Sequence, residues 1–456
     1  MKWQFPRRVA DGCRSVFRRT VALFRRYPLN KAGAATLRQD VKNLRDSAAD
    51  RVDRRYERED PIYTEPIHPI PEETEERVLV KGPVDYGFLF IVIALCLFGL
   101  VMAFSASSVY AAQYHDDSTY YVKNHIIFLI MAAVATFFLV WLARPWFWRF
   151  FGVACYIASV IMLLLVLVIG ASYNSGATRW LQIGPISVQP SEIAKMAVIM
   201  VIALIMSKHE KEIRSRQKFR GHFRYAVFYP MLAFGLICAL VVLEHHLSGI
   251  IIIGLMGLVT MYIGGTRGRY FLWLGVFGIA AVTVVLLLSD YAMLRVSTWL
   301  QIEFNSPNLN PLGSAWQTLQ GLNAIGSGGF FGRGLGNSQQ KYGYVSQPQN
   351  DFIFTIICEE LGFVGALGVI LLFGLLIWRG YRIAAKAPDK FCSIVVYGLV
   401  TKVALQTILN IAVVTNSIPN TGIALPFFSS GGTSLIIQII EMGIVLSISR
   451  FSYQKR

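Results

Sequence analysis

Charged side chains that interrupt the apolar stretches of this sequence are its candidates for chemistry. Glu192 and Lys195 follow Pro190 at the start of one such stretch, and Arg179 lies in the loop before it. An unpaired charge at the centre of a membrane is costly, so such residues are paired or functional. Residues three positions apart share a helix face. Glu192 and Lys195 therefore form either a structural ion pair or, with Arg179, a site for the phosphates of a membrane-borne ligand near the positive helix end.

A second cluster, Glu244-His245-His246, lies at a tight turn between two apolar stretches. Three titratable groups at one turn are compatible with a metal site or a proton relay. Adjacent histidines on a turn are also typical of positions at the membrane surface that have no such role. The residue types alone leave these alternatives open.

Acidic and glycine-rich segments form a third and a fourth cluster. Asp351 opens one apolar stretch, and Glu359 and Glu360 lie about two turns deeper. Two neighbouring acids in an apolar helix cannot both face lipid, so at least one must point into the protein. The Pro-, Gly- and Ser-rich loop at 415–434 joins two other apolar stretches, and irregular backbone at membrane depth is tolerated where it lines a cavity. The clusters together predict an outward-facing polar cavity that transports, binds or catalyses.

Apolar stretches long enough to cross a membrane must position these clusters. About 20 apolar residues span the roughly 30 Å of hydrocarbon in a bilayer, and such stretches recur from Tyr86 onward. We predict an all-α, polytopic membrane protein of about ten transmembrane helices, with a long structured outer loop between spans 7 and 8, at about 290–350. The predicted spans are 86–109, 125–143, 150–170, 191–206, 226–243, 248–265, 271–289, 352–378, 392–415 and 434–449.

Composition excludes two classes of function. The chain of 456 residues is 54% hydrophobic and only 15% charged, whereas soluble domains carry about 25% charged residues, so a water-soluble enzyme is excluded. The net charge of +16 would suggest a nucleic acid partner. However, the first fifty residues hold twelve Lys and Arg against four Asp and Glu, and most other bases lie in short loops. This distribution indicates contact with anionic membrane lipids and no nucleic acid.

Basic residues between the predicted spans also indicate the orientation. If the N-terminal segment is cytoplasmic, fifteen Lys and Arg lie in inner loops and only five lie in outer loops. Cytoplasmic loops carry an excess of positive charge. The count therefore predicts a multi-pass protein of the plasma membrane with both termini cytoplasmic. The five outer residues are Lys123, Arg179, Arg295, Arg333 and Lys341.

Three regions divide the chain. Residues 1–84 are expected to form a basic, largely disordered cytoplasmic tail. Within it, residues 14–27 are either part of that extension or a basic amphipathic helix on the inner leaflet. Residues 85–450 form the membrane domain, and residues 451–456 form a short cytoplasmic C-terminal tail.

Four long motifs occur in order along the membrane domain. They are GATRWLQIGPISVQPSEIAK, EHHLSG, QTLQGLNAIGSGGFFGRGLGNSQQKYGYVSQPQNDFIFTIICEELG and IPNTGIALPFFSSGGTS. These motifs resemble those of the SEDS family, the shape, elongation, division and sporulation proteins typified by FtsW, RodA and SpoVE. The resemblance covers about residues 86–450, and the FtsW type is the closer match.

The resemblance implies a peptidoglycan glycosyltransferase that polymerises lipid II into glycan strands at the outer membrane face of a bacterium during cell division or growth. A sugar 4-hydroxyl would attack the anomeric carbon of the other substrate, an acid would act as general base, and pyrophosphate would leave. Implied partners are a class B penicillin-binding protein, which is a transpeptidase, and other division or elongation proteins. The resemblance implies no tightly bound cofactor, but a divalent cation, Mg²⁺ or Mn²⁺, for activity.

Site residues follow from the same resemblance. Arg179 and Lys195 match the basic pair of the family, which suits binding of the lipid-linked pyrophosphate. The expected substrate-binding residues are Arg179, Glu192, Lys195, Gln317, Ser430 and Gly431.

The chain departs from the family at the position of the catalytic aspartate. In the family an Asp-Pro-x-Gly motif in the long outer loop carries this residue, and here Asn310 begins the matching stretch. An amide cannot act as a carboxylate base. Glu303 then supplies the carboxylate, with Asp290 and Asp351 as further candidates, or the chain is a non-catalytic scaffold or regulator. A flippase for a lipid-linked sugar is the alternative from another class, against which stand the long outer loop and the lack of internal repeats.

Overall fold

The computed structural model describes residues 77–169, 171–172, 178–183, 186–214, 219–244, 246–288, 290–304, 313 and 315–455. The predicted tail up to residue 76, with its possible helix at 14–27, lies outside the described residues, and so do His245 and Asn310. Long apolar helices make up most of the described chain. In a bilayer every backbone polar group needs an internal partner, and a helix provides one within a single segment.

Fourteen helices occur in the described residues. The predicted outer loop contains two of them, Asp290–Glu303 and Trp316–Gly328, as expected for a structured loop. In chain order the helices are α1 Tyr86–His115, α2 Tyr120–Leu142, α3 Pro145–Ile169, α4 Pro190–Lys208, α5 Glu210–Arg214, α6 Phe219–Phe223, α7 Tyr229–Leu243 (preceded by a π-helical turn, Arg224–Phe228), α8 Leu247–Gly264, α9 Gly268–Leu288, α10 Asp290–Glu303, α11 Trp316–Gly328, α12 Ile353–Ala385, α13 Lys390–Val414 and α14 Gly432–Ser449.

Eight helices among the described residues are long and apolar enough to cross a membrane. Two shorter apolar segments, Ser248–Gly264 and Gly268–Ala280, lie where the sixth and seventh spans are predicted. The polytopic helical fold is therefore confirmed. Eight of the ten predicted spans meet the length criterion, and the other two helices are present but shorter in their apolar part.

Two short antiparallel sheets are additions to the predicted all-helical fold. Strand β1 (Arg77–Lys81) pairs with β5 (Phe451–Lys455), so the two ends of the described chain lie side by side on one face. Both strands lie in stretches that the sequence assigns to the two tails. Two chain ends on the same face of the helix bundle agree with the predicted even number of membrane crossings.

The second sheet lies between α3 and α4 and consists of β2 (Ala171–Ser172), β3 (Thr178–Ile183) and β4 (Ile186–Val188). Ile183 pairs with Ile186, so a two-residue connection, Gly-Pro in the sequence, closes the β3–β4 hairpin. This hairpin leads directly into α4 and brings Arg179 toward the start of that helix.

Helices α4, α13 and α14 form the centre of the bundle. In the most apolar window of α4 and of α14, 72% of the residues are buried, against 17% in α2. Helix α4 packs against α3, α8 and α13, and α14 packs against α2. Because lipid surrounds the outer helices, charged groups can be held only on these central helices or at the helix ends.

Buried ion pairs join the central helices and the loops. Lys402 Nζ of α13 lies 2.6 Å from Glu441 Oε1 of α14, and both side chains are fully buried. Near the start of α12, Lys341 Nζ lies 3.1 Å from Glu360 Oε1, and Glu359 accepts hydrogen bonds from the backbone at residues 339 and 340. The expectation that at least one of these acids points inward is confirmed, since both are completely buried.

A kink in α12 at Gly362 allows the glycine-rich segment before it to pack closely. Gly362 has φ +67°, and a Cβ atom at this position would lie 2.3 Å from the backbone nitrogen of Gly332. Only glycine combines this backbone conformation with such a short approach. The kink therefore holds the segment after α11 against the start of α12, where the acidic pair lies.

Candidate active site

A polar cavity of about 670 Å³ lies where the starts of several helices meet. Residues from β3, α4, α8, α10, the segment before α12 and the loop before α14 line it. This is the face that the loop charges predict to be outer. The lining residues discussed below are Arg179, Glu192, Lys195, His246, Arg295, Asp351, Ser429, Ser430 and Gly431.

Glu192 and Lys195 lie on the first two turns of α4. Pro190 occupies the first turn, where its missing N–H costs nothing. Lys195 Nζ donates to Glu192 Oε1 at 2.7 Å, and both side chains are buried. The predicted pairing is therefore confirmed. Both residues also line the cavity, so the structural pair and the position at a binding site occur together.

Two arginines reach the cavity from elements outside the bundle centre. Arg179 of β3 is half-buried, and Arg295 of α10 donates to the backbone carbonyl of Asn420. With Lys195 they place three basic side chains on one cavity. Sequence reasoning did not assign Arg295 to the site. Its only signal there was its place among the five basic residues of the predicted outer loops.

Three helices begin at the wall of the cavity. Helix α4 starts at Pro190, α8 follows its N-cap His246, and α14 follows its N-cap Gly431. Each helix start carries unpaired backbone N–H groups and a partial positive charge. Helix starts are therefore ready-made anion sites, and these three reinforce the charge of the basic side chains.

The Pro-, Gly- and Ser-rich loop is tied to the segment before α12. Ser430 N donates to Gln349 O at 2.9 Å, and Ser429 Oγ donates to Asn350 O at 2.7 Å. The Ser430 hydroxyl is buried and makes no hydrogen bond within the described part of the protein. It faces the cavity, where a ligand oxygen would satisfy it. The prediction that this irregular loop lines a cavity is confirmed.

Asp351 supplies a carboxyl group to the same cavity. Its backbone carbonyl accepts a hydrogen bond from Asn410 Nδ2 at 2.7 Å, which holds the segment before α12 in place. Burial raises the pKa of the Asp351 carboxyl above its usual value, and the charge of Arg295 opposes that rise. A carboxyl with a raised pKa is a better proton acceptor when it is ionised.

The turn between α7 and α8 places Glu244 and His246 beside Arg179. Glu244 is almost fully buried, and neither of its carboxyl oxygens has a hydrogen-bond partner among the described residues. Burial raises the pKa of Glu244 to about 8, although Arg179 opposes the rise. Burial also lowers the pKa of His246 to about 3, so its imidazole is neutral.

The described residues offer no ready-made cluster of metal-binding side chains. They contain no group of three His, Cys, Asp or Glu side chains that could hold a metal ion. Of the two acids on the cavity, Glu192 is already paired with Lys195. The metal alternative for the Glu244 turn stays a hypothesis, since His245 lies outside the described residues.

Two predicted site residues lie away from the cavity lining. Glu303 ends α10, is exposed, and accepts a hydrogen bond from Asn416 Nδ2 at 3.3 Å. Gln317 of α11 donates to the backbone carbonyl of Ser346 at 3.1 Å. The structure thus brings together Arg179, Glu192, Lys195, Asp351, Ser430 and Gly431, but does not add Glu303 or Gln317 to them.

A family model and individual known sequences match this chain and point to the same family. The family model described as cell cycle protein FTSW_RODA_SPOVE matches residues 86–454. The chain is 38% identical over 374 residues to stage V sporulation protein E of Bacillus subtilis, covering 82% of this chain and 98% of that protein. It is 34% identical over 367 residues to FtsW of Trichlorobacter lovleyi, named as a probable peptidoglycan glycosyltransferase, covering 80% of this chain and 93% of that protein.

Solved structures share the fold as well. A chain from a peptidoglycan synthase complex that coordinates polymerization and crosslinking matches with a TM-score of 0.64 and 28% identity, over 80% of this chain and 98% of that one. The rod shape determining protein RodA of Thermus thermophilus matches with a TM-score of 0.58 and 25% identity, over 80% of this chain and 97% of that one. The membrane part of the chain is therefore similar to these proteins along almost their whole length.

Proposed function

Because this chain belongs to the family of FtsW, RodA and SpoVE, we propose that it is a peptidoglycan glycosyltransferase that polymerises lipid II into glycan strands. The observation that carries the proposal is one cavity lined by three basic side chains, three helix starts and Asp351, whose carboxyl group has no salt bridge among the described residues. Such a cavity suits a reaction in which a pyrophosphate leaves and a hydroxyl group loses a proton.

Arg179, Lys195 and Arg295 hold the pyrophosphate in this proposal. Guanidinium groups bind phosphate oxygens with two parallel hydrogen bonds, and a Lys ammonium acts as a point charge. The positive helix starts add to this field without any loss of side-chain entropy. A volume of about 670 Å³ lies in the range of about 300–1,000 Å³ typical of ligand pockets. It holds the pyrophosphate and adjoining sugar, while the lipid chain stays among the helices.

Asp351 is the general base that we assign. The 4-hydroxyl of the acceptor sugar attacks the anomeric carbon of the donor, and its proton passes to the Asp351 carboxylate. The bond between that carbon and the pyrophosphate oxygen breaks, and the leaving group stays bound to the basic side chains. Because Asn310 cannot accept the proton, the role falls to a carboxyl that already lines the cavity. Glu303 remains the competing candidate from the outer loop.

The cellular location and the partners of the protein are part of the proposal. We infer a multi-pass protein of a bacterial plasma membrane with both termini in the cytoplasm, which puts the cavity on the outer face. The likeness to a chain of a peptidoglycan synthase complex supports a class B penicillin-binding protein as partner. Other division or elongation proteins and a divalent cation for activity remain expectations from the family.

A polymerisation assay tests the proposal. The purified protein, in detergent with its transpeptidase partner, should convert lipid II into glycan strands that are resolved by gel electrophoresis. Movement of labelled lipid II across sealed vesicles without polymer would instead indicate a flippase. Binding of lipid II and of the partner with neither polymer nor movement would indicate a non-catalytic scaffold. Either result would overturn the assignment.

A further inference from the structure

A second cavity, of about 490 Å³, lies at the face opposite the active site. It is formed by the start of α1, the end of α12 and the end of α14. Helix α12 is long and apolar enough to cross a membrane, and Arg379 lies near its end. The active-site cavity lies beside the start of α12, so the second cavity lies at the other membrane surface. Its charged lining residues are Asp85, Arg379, Arg382 and Lys386.

Basic side chains dominate this second cavity. Arg379, Arg382 and Lys386 follow one another at helical spacing, so they share one face of α12. Among the described residues, Asp85 is the only acid in the lining. It caps α1 by accepting from Phe88 N at 2.9 Å and accepts from Arg379 Nε at 2.9 Å. One carboxylate therefore faces three cations.

Two of the three cations are held in place by the protein. Asp85 binds only the Nε of Arg379, and the absence of a side chain at Gly87 leaves room for the guanidinium, which would lie 3.3 Å from a Cβ atom there. The Arg382 guanidinium lies over the Trp378 ring, 5.0 Å from its centroid. Within the described part of the chain, the side chains of Arg382 and Lys386 donate no hydrogen bond and form no salt bridge. Their donors are thus free to bind an anion.

Exposed aromatic side chains mark the level of the cavity in the membrane. Trp378 is 55% exposed, and Tyr86 is 68% exposed. Trp and Tyr are enriched at the boundary between hydrocarbon and water. The exposed apolar residues Phe90 of α1 and Leu375 of α12 lie about one turn further into the membrane. The cavity therefore opens where phospholipid headgroups lie, beside a surface suited to acyl chains.

We propose that this second cavity binds the phosphate of an anionic phospholipid from the adjacent leaflet. Arg379 and Arg382 bind the phosphate oxygens through their guanidinium groups, and Lys386 adds charge at the water side. Basic pockets between transmembrane helices are the places where proteins recognise anionic headgroups. The bound lipid bridges α1 and α12, whose ends it contacts together. The proposal is independent of the reaction at the other face.

The test compares two double variants of the full-length protein by native mass spectrometry from detergent. The test variant is Arg382→Gln/Lys386→Gln, which keeps Arg379 and its contact with Asp85. The control is Lys208→Gln/Lys211→Gln, which removes the same charge from exposed residues at the same membrane face. The probes are phosphatidylglycerol, phosphatidylcholine and inorganic phosphate, and melting temperature is measured in parallel.

We expect the wild type and the control to retain one phosphatidylglycerol and to melt at a higher temperature with it. The test variant should bind it at least tenfold more weakly, and phosphatidylcholine should have no effect on any of the three. Equal weakening in both double variants would show general charge attraction and overturn the proposal. An equal thermal shift with inorganic phosphate alone would show that the cavity takes free phosphate rather than lipid. Unchanged retention in the test variant would also contradict the proposal.

Discussion

Lys195 Nζ lies 2.7 Å from Glu192 Oε1, within the first two turns of a helix whose start lines the active-site cavity. Both side chains are almost completely buried. The ammonium group therefore neutralises a buried carboxylate and at the same time presents positive charge to a ligand. Stability and binding depend on the same contact, so a single substitution changes both.

A double variant separates the two contributions of this pair. Lys195→Met leaves the Glu192 carboxylate buried without its partner, and removal of one partner of a buried pair costs about 3–5 kcal/mol. We expect the single variant to lose both melting temperature and lipid II binding. Glu192→Gln with Lys195→Met should recover most of the melting temperature but not the binding. If the double variant regains both, Lys195 does not contact the substrate.

Removal of either arginine at the cavity should weaken substrate binding. A hydrogen bond to a charged group contributes about 1.5–3 kcal/mol, so Arg179→Ala and Arg295→Ala should each weaken lipid II affinity about ten- to a hundredfold. Lys123→Ala is the control, because Lys123 is exposed and paired with Asp117. Affinity is measured by titration of the detergent-solubilised protein. Three equal affinities would contradict the pyrophosphate assignment.

Substitutions at Asp351, Glu303 and Asn310 distinguish the three candidate positions of the general base. A well-placed general base accelerates a reaction about 10²–10⁴-fold, so Asp351→Asn should abolish measurable polymer, whereas Glu303→Gln should keep activity. Because burial raises the pKa of Asp351, the rate should begin to fall on acidification at a higher pH than an ordinary Asp would give. If Glu303→Gln is inactive and Asp351→Asn is active, Glu303 is the base. Polymer formed only after Asn310→Asp would identify the natural chain as a non-catalytic member.

Glu244 should make stability depend on pH. Its folded-state pKa is raised by burial to about 8 from an ordinary value of 4.5, so the folded protein holds a proton that the unfolded chain releases at neutral pH. Stability from this group is therefore complete below about pH 4 and is lost as the pH rises through about 8. Glu244→Gln should show a smaller fall in melting temperature between pH 5.5 and pH 8.5 than the wild type. The melting temperature of the control Asp290→Asn, changed at an exposed position, should fall as much as that of the wild type.

Cysteine labelling tests the orientation. In a Cys13→Ser background, a membrane-impermeant maleimide added to whole cells should label Tyr342→Cys, whose position is 64% exposed on the cavity face. Ala385→Cys, at the exposed end of α12 on the opposite face, should react only after lysis. The reverse pattern would contradict the count of basic loop residues and place the cavity in the cytoplasm.

The helices could be predicted because lipid imposes a simple length and polarity requirement on each segment separately. The β3–β4 hairpin also had a local signal, two short runs rich in β-branched residues around Gly184-Pro185. The pairing of β1 with β5 had none, since its partners lie at opposite ends of the described chain. No local pattern specifies contacts over such a distance.

The site was partly predictable for a related reason. Glu192, Lys195 and Asp351 are recognisable because a charge in an apolar stretch is costly, and their joint position on one cavity follows that expectation. Arg295 and His246 reach the same cavity from separate elements. Arg295 was an ordinary loop position in the sequence and became a lining residue only through packing, whereas His246 already belonged to a candidate cluster.

The β1–β5 pairing has a consequence for chain connectivity. Because Arg77 lies opposite Lys455, a short linker could join the two ends of the membrane domain into a circle. A circular permutant opened at an exposed turn should then keep every helix contact, since exposed turns tolerate new termini. The order in which the ribosome delivers the spans would change while the folded arrangement would not. Insertion and folding of the bundle could thus be studied separately.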